Sequence, residues 1–401
     1  MNGRVQEEAG LSPQRRLRIL FVAGCWYPHD EAPIQGIFVR RHAEAVALTN
    51  SVTVLHPYAV TEGPDLPEVL RRNWGSLREI HIRFRSRRVV AGESRGHQAG
   101  FFRSGRLGCQ EILAVGDHPD VIHFHVVPSL GLVAAVKSVF PNTPMVLTEH
   151  WSGYLPESGV KLGLFRRLYT GVLTRRVRVV TTVSRRHRDA MLDLGFKGRF
   201  EIVPNVVDTE VFHPDSGVMK DQPLRFVHVS GLRAEKNVPE IIRAMGRLLR
   251  KYPNAKLNIV GDGPERRKAE AVAEELDLCG RSVFFLGMLE SGDVASVLRR
   301  SDVLILLSDF ENSPCVLLEA MACGLFVVAP RVGGIPEIVT PQRGILVPPG
   351  DGPALAEAME MISRQGRNWD SRAIRTYSVR TFSQVAVQRR FDDVYAVAHG
   401  Q

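Results

Sequence analysis

The chain alternates between short, continuous apolar runs and stretches in which apolar residues recur every three or four positions. The runs read as strands buried on both faces, and the periodic stretches read as amphipathic helices. In the first half the strands fall at 17–23, 51–56, 79–84, 121–124, 145–148 and 177–183. In the second half they fall at 225–230, 256–261, 283–286, 303–307, 326–329 and 344–347. Helices are predicted between them, for example over 238–251 and 264–276. A last helix is predicted over 382–398, with Val385, Val387, Phe391, Val394 and Tyr395 as its apolar residues. Strands alternating with helices throughout imply α/β architecture with parallel sheets. Two Rossmann-like domains follow, 17–204 and 205–379, joined near Pro204 and Asn205. Such a pair leaves a deep cleft between the C-terminal edges of the sheets, where α/β ligands bind. Residues 1–16 are polar and charged and read as a disordered tail.

Length supports the division, since 401 residues suit two domains of ordinary size. No apolar run is long enough to span a bilayer, and the N-terminus carries no apolar signal-peptide core. The five cysteines (25, 109, 279, 315 and 323) are scattered without a close pair. They read as reduced thiols and not as a disulfide frame or zinc site. The location implied is cytoplasmic.

The net charge of +9 is uneven, because residues 1–204 carry 28 Lys and Arg against 18 Asp and Glu. Ten arginines lie between Arg71 and Arg106, with only Glu79 and Glu93 opposing them locally. That segment reads either as a solvated, loosely ordered loop or as a surface for anionic lipid or a phosphorylated acceptor. Residues 161–169 mix basic and large apolar side chains, as an interfacial helix would or as an ordinary packed helix with solvated arginines. No helix-turn-helix, RNP or zinc-finger pattern accompanies the charge, which excludes nucleic acid as the expected partner.

The most informative stretch runs from Ser308 to Gly324. It begins as a buried strand ends, passes through a short turn and enters a helix. Ser313 is placed to cap that helix, Pro314 suits its first position, and Gly324 suits the residue just past its end. Glu311 lies in the turn and Glu319 on the helix, eight positions apart. Unpaired N–H groups at a helix start attract phosphate, while carboxylates accept from hydroxyls. Together they suit a sugar nucleotide.

The order Glu311, Glu319, Ala320 to Gly324, an apolar strand at 325–329, and Gly333-Gly334-Ile335-Pro336-Glu337 resembles the retaining nucleotide-sugar glycosyltransferases of family 4 (glycosyl transferases group 1), with the GT-B fold. The resemblance runs from about Leu224 to Gly350 and is weaker over the N-terminal half. It implies a nucleotide-sugar domain at 205–379 and an acceptor domain at 17–204, to which residues from about 380 to 401 return. It implies that Glu311 holds the sugar's hydroxyls facing the anomeric centre, and that Glu319 accepts from the ribose. The backbone of Asn312, Ser313, Pro314, Cys315 and Val316 would meet sugar and phosphate oxygens, and Lys236 would meet the diphosphate. An arginine usual in the family five positions before Lys236 is Gly231 here; Arg233 stands nearby, out of register. Gly36, Gly263 and Leu286 match segments beside the nucleotide, Leu286 lying next to the base. His125 would reach the cleft near the reacting carbon. His150 and Trp151 match acceptor-side positions, with Glu149 a weaker one. Asn205 and Asp208 match the segment that shapes the hinge. Taken singly, each type has a plainer reading: a glutamate as dipole partner, a histidine satisfied in the core, a glycine serving only its turn.

No Asp-x-Asp occurs in the chain. By resemblance, charge on the leaving diphosphate would then be met by Lys236 and the helix start, with no metal and no cofactor. The function implied is transfer of a sugar to an acceptor hydroxyl with retention, in bacterial surface polysaccharide, lipopolysaccharide or glycolipid synthesis. The partners implied are a nucleotide-diphosphate sugar, a carbohydrate or lipid-linked acceptor, and an anionic membrane surface. Two alternatives stay open: a non-catalytic sugar-nucleotide-binding relative, and another GT-B enzyme acting on a sugar nucleotide or small metabolite.

Overall fold

The computed structural model describes residues 16–24, 26–62, 66–86, 95–215 and 223–400. Cys25, Arg87, Arg88 and nearly all of the expected tail lie outside the described residues. Eight strands form the first sheet: β1 (Arg18–Ala23), β2 (Ser51–Val60), β3 (Glu68–Trp74), β4 (Leu77–Arg85), β5 (Val121–His125), β6 (Met145–Glu149), β7 (Val179–Thr182) and β8 (Phe200–Ile202). Their order is β3-β4-β2-β1-β5-β6-β7-β8. Six strands form the second: β9 (Arg225–Val229), β10 (Lys256–Val260), β11 (Val283–Gly287), β12 (Val303–Ile305), β13 (Phe326–Pro330) and β14 (Gly344–Val347), in the order β11-β10-β9-β12-β13-β14. Every pairing is parallel except that of β3 with β4. The helices of the first half are α1 (Ile37–Val46), α2 (Arg95–Ala114), α3 (Leu130–Val139), α4 (Leu164–Arg176) and α5 (Arg185–Asp193). Those of the second are α6 (Val238–Leu249), α7 (Arg266–Glu275), α8 (Ser291–Arg299), α9 (Cys315–Ala322), α10 (Ile335–Ile338), α11 (Gly352–Gln365), α12 (Ser371–Phe382) and α13 (Gln384–His399). Two Rossmann-like α/β layers therefore exist, as the alternation of patterns implied.

The arginine-rich segment is a correction. Arg71 and Arg72 lie on β3, and Arg78 and Arg83 on β4, so this part is a hairpin and not a loop. Those four arginines pair with Glu111, Asp30, Asp117 and Glu31, all remote in sequence. β3 escapes the pattern because it is an edge strand whose residues stay half exposed. β8 has three residues, too few to show a period. In α13, Val387, Phe391, Val394 and Tyr395 are buried, whereas Val385 is 49% exposed and leaves the expected apolar face.

That helix packs in the core of the first layer with Ile19, Val39 and Val52. The Tyr395 hydroxyl lies 2.7 Å from His123 Nδ1. The chain thus crosses between the layers twice, and the crossings meet: Val207 N–H donates to the Phe382 carbonyl at 2.8 Å.

Further bonds join the layers across the cleft. Arg41 of α1 donates from Nη1 to Glu319 Oε1 of α9 at 2.6 Å, with both side chains nearly buried. The Asn205 amide donates to the Ser313 carbonyl at 2.8 Å, and Asn312 donates to the His150 carbonyl at 3.1 Å. Glu337 accepts from the N–H groups of Arg185 and Arg186, so a carboxylate of the second layer caps α5 of the first. Negative charge at that helix start is favourable.

The interior also holds uncharged imidazoles. Burial pushes His42, His187 and His228 down to about 4 and His56 to about 3, from the ordinary histidine value of 6.5. Between those values the unfolded chain binds more protons than the folded one. Stability is therefore full above pH 6.5 and lost as pH falls, by up to about 1.4 kcal/mol per pH unit for each ring. Urea midpoints measured from neutral pH downward should fall steeply between pH 6.5 and 4; a flat profile would mean these rings are solvated. Removing one partner of a buried ion pair costs about 3–5 kcal/mol unless the orphaned charge reaches water. Here the cheaper escape is opening of the cleft. Arg41→Ala should therefore raise the radius of gyration in small-angle scattering while each layer stays folded.

Candidate functional site

β12 delivers the chain to the cleft. Leu306 N–H still bonds to Val328, and the backbone then leaves the sheet at Ser308. The Ser308 hydroxyl donates to Glu311 Oε1 at 2.8 Å, and Lys236 Nζ reaches the same oxygen at 2.5 Å. Lys236 ends a one-turn helix, Ala234–Lys236, after β9. That turn is tied to the Glu311 loop twice more. Asp309 N–H donates to the Glu235 carbonyl at 2.9 Å, and Asn237 donates to Asp309 Oδ1 at 2.6 Å. Lys236 and Glu311 are mostly covered, at 20% and 13% side-chain exposure, with a small part of the pair still reaching solvent.

The start of α9 differs from the expectation. The helix begins at Cys315, Pro314 occupies the capping position in extended conformation, and no side chain caps it. The Ser313 hydroxyl is buried without a bonding partner among the described residues. Its carbonyl is held by Asn205 of the other layer, which fixes the backbone in a path the cap geometry does not share. Gly324 follows the helix with φ +82, as its end requires. The first-turn N–H groups of α9 thus carry no side-chain competitor. Beside them burial pushes the Cys315 thiol up to about 11, so it stays neutral next to Arg41.

The glycines divide. A Cβ on Gly36 would lie 2.3 Å from the Trp26 carbonyl carbon, and one on Gly263 would lie 2.1 Å from the Gly231 carbonyl oxygen. Both have positive φ, so close approach of their own chain already requires glycine there. Gly231 faces open space. Arg233 is exposed, and Leu286 is 39% exposed at the rim with Met288.

The opposite wall comes from the ends of β5 and β6. His123 is satisfied in the core, by Tyr395 and by Thr148 Oγ1 at 2.6 Å. His125 is equally buried, yet neither ring nitrogen has a partner among the described residues. Burial, and then the neighbouring rings of His123, His150 and His42, hold it well below the usual histidine range. Burial likewise holds His150 down, with the Asn205 side chain alongside opposing it. His125 and His150 stack with centroids 5.8 Å apart. The Asn312–His150 bond sets the Glu311 loop against this wall.

Glu149 is a backbone anchor: it accepts from the N–H groups of Val127, His150 and Trp151, each at 2.9 Å. Trp151 packs, with the Arg166 guanidinium 4.1 Å above its ring and Tyr154 at its edge. Asp208 accepts from Glu210 and Val211 N–H and shapes the hinge. Sequence reasoning missed Arg41, His42 and Glu337 as contributors. Arg41 adjoins the Gly36 segment, but nothing local marks a partner 278 positions away.

Residues 39–211 match the family described as Glycosyltransferase Family 4, and residues 210–376 match Glycosyl transferases group 1. Among curated relatives, the chain is 31% identical to N-acetyl-alpha-D-glucosaminyl L-malate synthase of Bacillus anthracis, over 49% of this chain and 53% of that protein. It is 29% identical to glycogen synthase of Mycobacterium tuberculosis, over 61% and 60% respectively. The matches thus span between half and two thirds of those relatives. Among solved structures, sucrose-phosphate synthase of Thermosynechococcus elongatus superposes with a TM-score of 0.73 at 22% identity, covering 95% of this chain and 98% of that one. Anabaena HepE in complex with UDP and glucose superposes with a TM-score of 0.69 at 17% identity, covering 95% and 100%. These likenesses establish the GT-B fold. With two family matches that run end to end from residue 39 to residue 376, the chain belongs to the group 1, family 4 glycosyltransferases.

Proposed function

We propose that the protein transfers a sugar from a nucleotide-diphosphate sugar to an acceptor hydroxyl with retention at the anomeric carbon. The observation that carries this reading is the Lys236–Glu311 pair, mostly covered but still reaching solvent, beside the uncapped start of α9. An ammonium group and free N–H groups suit a diphosphate, and a carboxylate next to them suits sugar hydroxyls. Solved neighbours carry UDP, UDP-glucose or ADP by their descriptions, which supports the same class of ligand here.

In this reading the diphosphate lies on the first turn of α9, over Asn312 to Val316, and draws Lys236 toward it. Glu311 holds the sugar's hydroxyls. Arg41 occupies Glu319 Oε1, and a carboxylate accepts at both oxygens, so Oε2 takes a ribose hydroxyl. Neutral His125, beside His150, faces the reacting carbon as an uncharged group. The departing phosphate oxygen takes the proton of the acceptor hydroxyl on the face it leaves, which retains configuration. Negative charge building on that oxygen is met by Lys236 and the helix start, without a metal bridging the phosphates. The class of product we favour is a surface polysaccharide, lipopolysaccharide or glycolipid.

The acceptor domain also offers a surface for an anionic bilayer. On α4, Leu164, Phe165, Leu168 and Val172 are 74%, 51%, 61% and 50% exposed, and at helical spacing they share one face. Lys161, Arg167, Arg175 and Arg176 rim it, also exposed. A packed helix would bury those four apolar side chains. Basic residues around an apolar stripe favour a bilayer with acidic headgroups.

Nucleoside diphosphate release from a panel of UDP-, GDP- and ADP-sugars should identify the donor. With it, Glu311→Ala and Lys236→Ala should each lower kcat by about 10²–10³-fold without unfolding the chain. Unchanged turnover in Glu311→Ala would overturn the reading, as would an inverted anomeric centre in the product. On vesicles containing phosphatidylserine, the protein should sediment at low salt and release as salt rises. Phe165→Glu with Leu168→Glu should abolish sedimentation; equal binding to neutral phosphatidylcholine vesicles would rule out the charge contribution.

A further inference from the structure

The loop that leads into α1, residues 26–36, doubles back on itself. A Cβ on Gly36 would lie 2.6 Å from Tyr27 N, so the start of the loop touches the start of the helix. Gly36 precedes α1 with φ +69, and no side chain caps that helix among the described residues. From there α1 roofs the cleft over the start of α9. Phe38 lies against the His150 ring with centroids 4.5 Å apart, and Arg41 reaches Glu319. The backbone bonds within the loop are those of a turn, between His29 and Ala32 and from Gln35 N–H to the Ala32 carbonyl. They shape its tip and do not fix where it stands over the cleft.

That position is set from the β3–β4 hairpin. Glu79 of β4 is 1% exposed, and Tyr27 is fully buried. The Tyr27 hydroxyl donates to Glu79 Oε1 at 2.6 Å. Arg40 of α1 brings its Nε to 3.5 Å from the same oxygen. One carboxylate oxygen therefore receives both arms of the loop, residue 27 before Gly36 and residue 40 after it. The other oxygen is held by the hairpin itself: Trp74 Nε1 donates to Oε2 at 3.3 Å, and His81 Nε2 lies 3.5 Å from it. Burial acts to raise the Glu79 pKa, but the His81 and Tyr27 contacts and the Arg40 charge outweigh it and hold the group down to about 2. The carboxylate is thus ionised, which strengthens the bonds it accepts. Two further pairs, Arg72 with Asp30 and Arg83 with Glu31, tie the loop tip to the hairpin. Both reach solvent and contribute little.

We infer that Glu79 is a positioning residue that clamps the loop before α1 and so holds the roof of the cleft in its ligand-ready place. It acts through Tyr27 and Arg40 and touches no substrate. The role rests on the proposed reading of the cleft, since the roof matters to turnover only with a donor beneath it. It also gives the arginine-rich hairpin a purpose, as the brace of that loop. A loosened clamp lowers the fraction of chains in the competent form. Apparent affinity falls with that fraction, whereas a saturating ligand restores the competent form. The loss therefore falls on KM and leaves kcat. A residue needed only for folding would do the reverse, lowering the active fraction and kcat at constant KM.

Tyr27→Phe removes only the hydroxyl, and Glu79→Gln keeps the shape and removes the charge. In each variant without ligand, amide hydrogen exchange over 26–36 should quicken by about tenfold or more, with far-ultraviolet circular dichroism unchanged. The donor KM should rise about tenfold at unchanged kcat. The double variant should go no further than the larger single effect, because both changes break one contact. Arg71→Ala, on the same hairpin but paired with Glu111 of α2, should alter neither quantity. Unchanged exchange over 26–36 in both single variants would overturn the clamp, and so would a fall in kcat at constant KM. Calorimetry with UDP, GDP and ADP as probes separates the two readings. If none of them binds the wild-type chain, the proposed reaction fails, while exchange over 26–36 still decides the clamp.

Discussion

Arg41 and Glu319 bring opposite charges from two separate sheets into a space that water barely enters. Leaving either charge there alone would be costly, and each tolerates the position because the other is 2.6 Å away. The pair therefore does more than join two layers. It sets how α1 stands over the first turn of α9, and with it which groups of the first sheet face the Glu311 loop. The neighbouring bonds, from Asn205, Asn312 and Glu337, pass through backbone atoms and fix the same relation more finely.

Around that contact the cleft separates charge from neutrality. The second layer supplies Lys236 and Glu311, still in touch with water, together with a helix start that carries partial positive charge. The first layer supplies imidazoles that burial keeps uncharged. A ligand with an anionic end and a neutral polyhydroxy end would meet both halves in their natural states. This division of labour is a property of burial, since isolated histidines would titrate near 6.5 on either side.

Much of this was legible in the residues. All but two of the strands coincide with apolar runs, and the exceptions are the half-polar edge strand β3 and the three-residue β8. Glu311, Lys236, Glu319 and His125 were singled out through the family resemblance of the motifs that hold them. The start of α9 was not: Ser313 is a good cap by type, but Asn205 of the other layer takes its carbonyl and the helix starts two residues later. The arginines of 71–83 looked unpaired because their acids arrive from α2, from the turn near Asp30 and from the loop at Asp117. Leu164, Phe165, Leu168 and Val172 could equally have faced a core; only their exposure distinguishes the two.

Periodicity and composition act over a few residues, which is why they dictated parallel strands, amphipathic helices, a two-layer chain and the paired carboxylates around one helix start. Pairing of charges, sharing of a backbone carbonyl and convergence of three imidazoles act over a few ångströms instead. Arg41 and Glu319 are 278 positions apart, and His42 meets His125 and His150 only because α1 folds back over the ends of β5 and β6. Such contacts depend on how the two sheets pack, and the free energy of burying a charge or an unsatisfied ring exists only once that packing has excluded water.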